Sequence, residues 1–76
     1  MIALTDNDYE ELRPYFPVIR KYREIGTWVS TEEHQVMARV EQRISGDISN
    51  LRCSDCIARL YNIMNEYLDQ YENAKR

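Results

Sequence analysis

Glycine and proline are scarce in this chain of 76 residues, which has only two of each. Disordered and low-complexity chains are typically rich in both, and with 43% hydrophobic residues this chain has enough apolar material to fold. A Gly-rich phosphate loop, a serine nucleophile elbow and a metalloprotease helix are also missing. The sequence therefore predicts one folded domain, residues 1–76, that is not an enzyme and binds no cofactor.

Positive charge and long apolar runs are scarce as well. Thirteen acidic residues outweigh ten basic ones, so the formal net charge is -3 and favours neither phosphate backbones nor anionic membranes. No apolar run approaches the ~20 residues of a transmembrane helix. Residues 1–10 carry three acids and no base, unlike a signal or transit peptide. We therefore expect a cytoplasmic protein that does not bind membranes.

The hydrophobic pattern predicts an all-α fold, a small bundle of three main helical regions. The first region opens with an approximate capping box from Thr5 to Asp8. Pro14 and Pro17 then bend or break it, because proline is accepted in a first turn but removes an interior hydrogen bond. Gly26 is the expected stop.

The second region follows a capping box from Ser30 to Glu33, and it ends at Gly46. His34 lies in its first turn and is expected to be neutral and solvated. The third region is the longest, because helical spacing of apolar residues continues almost to the carboxyl end; it starts between Gly46 and Ser54. The predicted core consists of Leu12, Phe16, Ile19, Val36, Val40, Ile44, Ile57, Leu60 and Met64.

The pair Cys53 and Cys56 is the only pattern typical of site chemistry, since its spacing lets both sulfurs reach one metal ion or each other. A structural zinc site requires four ligands, and His34 would supply only a third. A thioredoxin-like redox pair lacks its βαβ context. We favour reduced cysteines packed in the core, because they continue the stripe of Ile57 and Leu60. Zinc binding and thiol redox chemistry are the alternatives.

Basic residues are only slightly in excess between residues 13 and 59, where eight bases face six acids. A helix-turn-helix alignment with Gly46 at the turn fits poorly, because Glu41, Arg52 and Asp55 fall where apolar residues are required. A small nucleic-acid-binding or regulatory protein is therefore an alternative and not the prediction.

The chain has six tyrosines against one Phe and one Trp. Tyrosine has a large apolar face and a polar tip, so these rings suit the boundary of the core or a protein interface. The helix from Ser54 to about Tyr71 carries apolar residues on more than one narrow face, so part of it should be exposed. We therefore predict a protein–protein interaction or assembly module that binds a protein partner or forms a homodimer through this helix. No small-molecule substrate is indicated. The predicted partner-binding residues are Tyr61, Met64, Tyr67, Leu68 and Tyr71.

Overall fold

A computed structural model of the protein describes residues 3–75, and these residues form four α-helices and no strand. The helices are α1 (Asp6–Leu12), α2 (Phe16–Ile25), α3 (Glu32–Ser45) and α4 (Ser54–Ala74), with a 3-10 turn over Arg13–Tyr15. The predicted all-α bundle is confirmed, with α1 and α2 as the two pieces of its first region. Met1, Ile2 and Arg76 belong to the predicted domain and lie outside the described residues. Within residues 3–75, no helix has the length and apolarity needed to cross a bilayer.

The predicted start and break of the first helical region are both confirmed. The hydroxyl of Thr5 accepts a hydrogen bond from the backbone N–H of Asp8 at 3.1 Å, and the Asp8 carboxylate accepts one from the Thr5 N–H at 3.3 Å. Pro14 lies in the 3-10 turn and Pro17 in the first turn of α2, where a missing N–H costs no helical hydrogen bond.

Glycine ends two of the helices where the sequence predicts it. Gly26 follows α2 with a φ of 71° and Gly46 follows α3 with a φ of 81°, and each donates its N–H to a carbonyl of the last turn. Residues with a side chain rarely adopt this left-handed conformation, so the two glycines set the ends of these helices.

The predicted capping box at the start of α3 is wrong. The N-cap is Thr31, whose side chain makes no capping hydrogen bond, and the Ser30 hydroxyl reaches only the N–H of Glu32 at 3.4 Å. Glu33 is fully buried instead of reaching back to the cap. The physical reason lies in α4, where Tyr61 provides a buried hydroxyl that donates to the Glu33 carboxylate.

Helices α2 and α4 are antiparallel. The ring of Tyr22 near the end of α2 stacks on Tyr61 in the first half of α4, with centroids 4.8 Å apart. Earlier in α2, Arg20 binds Asp69 at 2.9 Å and Glu72 at 2.7 Å, near the end of α4. The carboxyl end of α2 therefore lies beside the amino end of α4.

Helices α3 and α4 run in the same general direction. His34 at the start of α3 contacts Tyr61, whereas α1 joins the far ends of both helices through Arg43 to Asp8 and through Tyr71 to the first residue of α1. Residues 46–53 must therefore return along the bundle before α4 begins.

The returning connection is anchored on α3 by a buried polar contact. The hydroxyl of Ser49 donates to the carboxylate of Glu41, and both residues are buried. Because a buried carboxylate without a partner is costly, this bond holds the middle of the connection against α3.

The core is closed by all four helices and is largely as predicted. Phe16 and Ile44 are half-buried at its edge, whereas the other predicted core residues are buried. The accessible surface of 4927 Å² matches the ~4,900 Å² typical of a compact monomer of this mass. Four core residues were not predicted: Leu4, Met37, Tyr61 and Leu68.

Truncation of Leu60 to Ala should lower the free energy of unfolding by about 2–5 kcal/mol, because Leu60 is fully buried and its loss leaves a cavity. The matched control is Ile48→Ala, since Ile48 is 79% exposed and should change stability by about 0.5 kcal/mol or less. Urea unfolding followed by circular dichroism measures both. Equal effects of the two substitutions would contradict the assigned core.

Candidate functional site

Three polar side chains form a buried cluster between α3 and α4, named the polar cluster: Glu33, His34 and Tyr61. Tyr61 is fully buried, and its hydroxyl donates to Glu33 Oε2 at 2.8 Å. His34 Nε2 lies 3.0 Å from the same hydroxyl oxygen. The sequence prediction of a solvated His34 is therefore wrong, because the residue is 5% exposed.

The direction of these hydrogen bonds assigns the tautomer of His34. Tyr61 has one hydroxyl proton, and its donation to Glu33 leaves the hydroxyl oxygen to accept a hydrogen bond from the N–H of His34 Nε2. The polar cluster is thus a chain from the imidazole N–H through the phenol to the carboxylate. The second carboxylate oxygen, Glu33 Oε1, is buried and has no hydrogen-bond partner among the described residues.

Burial keeps both rings of the polar cluster neutral. Desolvation lowers the pKa of His34, an effect that the nearby Glu33 charge only partly opposes. Desolvation, followed by the hydrogen bond to Glu33, raises the pKa of Tyr61 far above its ordinary value. At neutral pH the histidine and the tyrosine therefore interact as neutral hydrogen-bonding groups.

Aromatic rings cover the polar cluster. Tyr22 from α2 and Trp28 from the α2–α3 connection stack on Tyr61 with centroids 4.8 Å and 5.7 Å away, and Trp28 meets His34 edge-on at 5.5 Å. Within residues 3–75, Tyr61 is the one side chain hydrogen-bonded to His34. The arrangement holds α2, α3 and α4 together.

The two cysteines lie at the start of α4, and the prediction that they pack in the core is wrong. Both are free and half-buried, and neither belongs to the buried core. Cys53 is the N-cap of α4, and its sulfur accepts the backbone N–H of Cys56 at 3.3 Å. The correction has a simple cause: α4 begins at Ser54, so the apolar stripe of the helix does not reach back to Cys53.

The two thiols are chemically different. The Cys56 thiol donates a hydrogen bond to Cys53, and with the Cys56 backbone N–H it lowers the pKa of Cys53. The same thiol–thiol bond is the main cause that raises the pKa of Cys56. Cys53 is therefore the better thiolate and Cys56 the holder of the proton.

The alternative metal set of Cys53, Cys56 and His34 is not assembled. The Nε2 atom of His34 faces Tyr61, and nowhere in residues 3–75 do three His, Cys, Asp or Glu side chains converge as metal ligands. The imidazole is instead held against the rings of Trp28 and Tyr61, whose centroids each lie 5.5 Å from it.

Three of the predicted partner-binding residues are in the core. Tyr61, Met64 and Leu68 are fully buried, so they offer no surface to a partner in this fold. Tyr67 and Tyr71 are half-buried, and Tyr71 stacks on Tyr9 of α1 with centroids 4.1 Å apart. Tyr22 and Trp28 cover Tyr61, and at the carboxyl end of α4 the ring of Tyr9 from α1 covers part of Tyr71.

Most of the basic residues considered for nucleic-acid binding are paired with carboxylates. Arg20 and Arg23 bind Asp69, and Arg43 binds Glu11 at 2.8 Å. This pairing neutralises the positive charge of α2 and α3 locally and weakens their attraction for phosphate.

Among the buried polar residues, three are at most 2% exposed, and their burial escaped the sequence analysis: Glu33, Glu41 and Asn65. Helical spacing contained a signal for them, since Glu33 and Glu41 share a face with Val40, and Asn65 lies one turn after Tyr61. Asn65 donates to the carbonyls of α2 and α4 at 2.9 and 3.0 Å. Their burial was not predicted, because glutamate and asparagine are mostly exposed in folded proteins.

The polar cluster and the cysteines lie towards the same end of the bundle, given the antiparallel register of α2 and α4. No protein-family model matches this chain, and neither does a curated protein or a solved structure. Inference about function therefore starts from these residues and the surface around them.

Replacing Tyr61 with Phe should lower the free energy of unfolding by about 1–3 kcal/mol, because it leaves the Glu33 carboxylate and His34 Nε2 buried without their shared partner. Tyr22→Phe is the matched control: the same atom is removed from the same ring stack, and the structure gives the Tyr22 hydroxyl no partner among residues 3–75. Thermal and urea unfolding compare the two. A loss as large for Tyr22→Phe would count against the polar cluster.

Stability should fall as the pH decreases below the ordinary His34 pKa of 6.5, because the folded state holds this pKa lower and disfavours the protonated ring. The contribution of a neutral His34 to the free energy of unfolding is fully present above that pH. It decreases as the pH falls, until the pH reaches the pKa that His34 has in the folded state. His34→Gln keeps a donor towards Tyr61 without a titrating ring, so its stability should change less between about pH 7 and pH 5. Parallel pH dependences for both proteins would refute this role of His34.

Proposed function

We propose that the protein is a non-enzymatic interaction module that self-associates through an apolar surface at one end of the bundle. The end surface consists of Ile25, Trp28 and Val29. Ile25 is 44% exposed and Val29 73% exposed, and Trp28 between them is half-buried. These apolar side chains at the end of α2 and in the short α2–α3 connection are the observation that carries the proposal.

The proposed site of association is the end surface, and not the surface of α4 that the sequence predicted. The apolar side of α4 is used inside the molecule, against α2, α3 and α1, whereas the α2–α3 connection leaves apolar side chains in water. Association through the end surface would remove them from water, at about 25 cal/mol for each Å² buried.

The end surface favours a second copy of the chain because it lacks charge. Residues 25–31 contain no ionisable side chain, although charged residues make up 30% of the chain. Two copies can therefore meet there without burying an unpaired charge and without the repulsion expected between chains of net charge -3.

The end surface is also held in place before any partner binds. Trp28 stacks on Tyr61 and lies 6.4 Å from Tyr22, centroid to centroid, so the polar cluster beneath it fixes its orientation. A surface that is ordered in the free protein loses less conformational entropy on association.

The double substitution Ile25→Ser and Val29→Ser should weaken self-association at least tenfold, about 1.4 kcal/mol, while leaving the fold intact. Ile48→Ser is the matched control, because Ile48 is 79% exposed but lies in the α3–α4 connection. Analytical ultracentrifugation over a wide range of protein concentration measures both.

Two results would contradict the proposed function. One is a wild-type protein that remains monomeric from micromolar to millimolar concentration. The other is a dimer that the Ile48→Ser variant weakens as much as the double variant does.

A further inference from the structure

The start of α4 presents two thiols side by side, and self-association through the end surface makes no use of them. We infer that Cys53 and Cys56 form a reversible intrachain disulfide by exchange with disulfides of low-molecular-weight thiols of the glutathione class, with Cys53 as the attacking residue. This inference does not depend on self-association, because it rests on different side chains.

The geometry places both sulfurs within reach of one another. Cys53 caps α4, Cys56 lies in its first turn, and the Cys53 sulfur accepts the backbone N–H of Cys56 at 3.3 Å. Cys53 itself has an extended backbone, with φ of -105° and ψ of 117°, and its carbonyl accepts the N–H of Ile57 at 3.0 Å. Because Cys53 precedes the first helical residue of α4, its side chain can be reoriented to close a disulfide without a shift of the helix.

Both cysteine residues are also partly accessible to solvent. Cys53 and Cys56 are half-buried, and Ser54 and Asp55 between them are exposed. A small disulfide can therefore approach Cys53 along the axis of α4 without unfolding the core. Buried structural cysteines, in contrast, are inert towards such reagents.

The exchange proceeds in two balanced steps. The Cys53 thiolate attacks one sulfur of oxidised glutathione, the bond between the two glutathione sulfurs breaks, and one glutathione leaves as a thiolate that takes up a proton. The Cys56 thiol then loses its proton and attacks the Cys53 sulfur, which releases the second glutathione. The protein gives up two electrons and two protons, and oxidised glutathione becomes two reduced molecules. Excess reduced glutathione drives the reverse reaction.

The opposite pKa shifts of the two thiols suit Cys53 to the first attack and Cys56 to the second. The hydrogen bonds from the Cys56 thiol and backbone lower the pKa of Cys53, which raises the thiolate fraction of the attacking residue, although the Asp55 carboxylate partly opposes this. The raised pKa of Cys56 keeps the second thiol protonated until the mixed disulfide has formed, although the Asn50 backbone and the Arg59 guanidinium partly oppose this rise.

The test incubates the full chain with defined mixtures of reduced and oxidised glutathione, followed by acid quenching and mass spectrometry. We expect a monomer that loses two hydrogens and both alkylatable thiols together, and that regains them in excess reduced glutathione. Cys56→Ser should accumulate a glutathione adduct on Cys53. Cys53→Ser should form its adduct on Cys56 at least tenfold more slowly.

The variants also control for misfolding. Serine is a good N-cap, so Cys53→Ser should retain the wild-type circular dichroism spectrum. The Ile25→Ser and Val29→Ser double variant should oxidise like the wild type, which separates this inference from the proposed function. A disulfide formed only between chains, equal adduct rates at the two cysteines, or thiols that stay free in oxidised glutathione would each overturn the inference.

Discussion

The buried hydroxyl of Tyr61 is the group on which the packing of the bundle depends. It accepts a hydrogen bond from His34, donates one to Glu33, and presents a ring face to Tyr22 and Trp28. A buried phenol without partners would lose its hydrogen bonds to water, so α3 must supply two polar side chains at the start of its first turn. That requirement turns Glu33 away from the capping position and brings His34 inside.

Polar contacts also determine how the other helices dock onto α4. Arg20 of α2 binds the side chains of Asn65, Asp69 and Glu72, which specifies the antiparallel register of α2 and α4. Ser49 donates a hydrogen bond to Glu41 and so anchors the returning connection from α3 to α4. Apolar burial drives the chain together, whereas these bonds select one arrangement among several that would bury similar area.

The same packing separates the molecule into two chemically different ends. At one end α1 covers the carboxyl half of α4, where Tyr9 stacks on Tyr71. At the other end nothing in residues 3–75 covers Val29, and the cap of α4 leaves Cys53 in partial contact with water. The proposed association surface and the proposed exchange of thiols both lie towards the second end, because the antiparallel register of α2 and α4 brings the α2–α3 connection beside the start of α4.

Local sequence determined the helices and their limits: Thr5 caps α1, Pro17 opens α2, and Gly26 and Gly46 end α2 and α3. Apolar spacing also predicted most of the core, because these signals act within a few residues. Only the tertiary structure decided that Glu33, His34 and Tyr61 are buried together, that α1 covers α4, and that Cys53 is a cap and not a core residue. These outcomes depend on which side chains meet across helices far apart in sequence, and the pattern of a single helix contains no information about its partner.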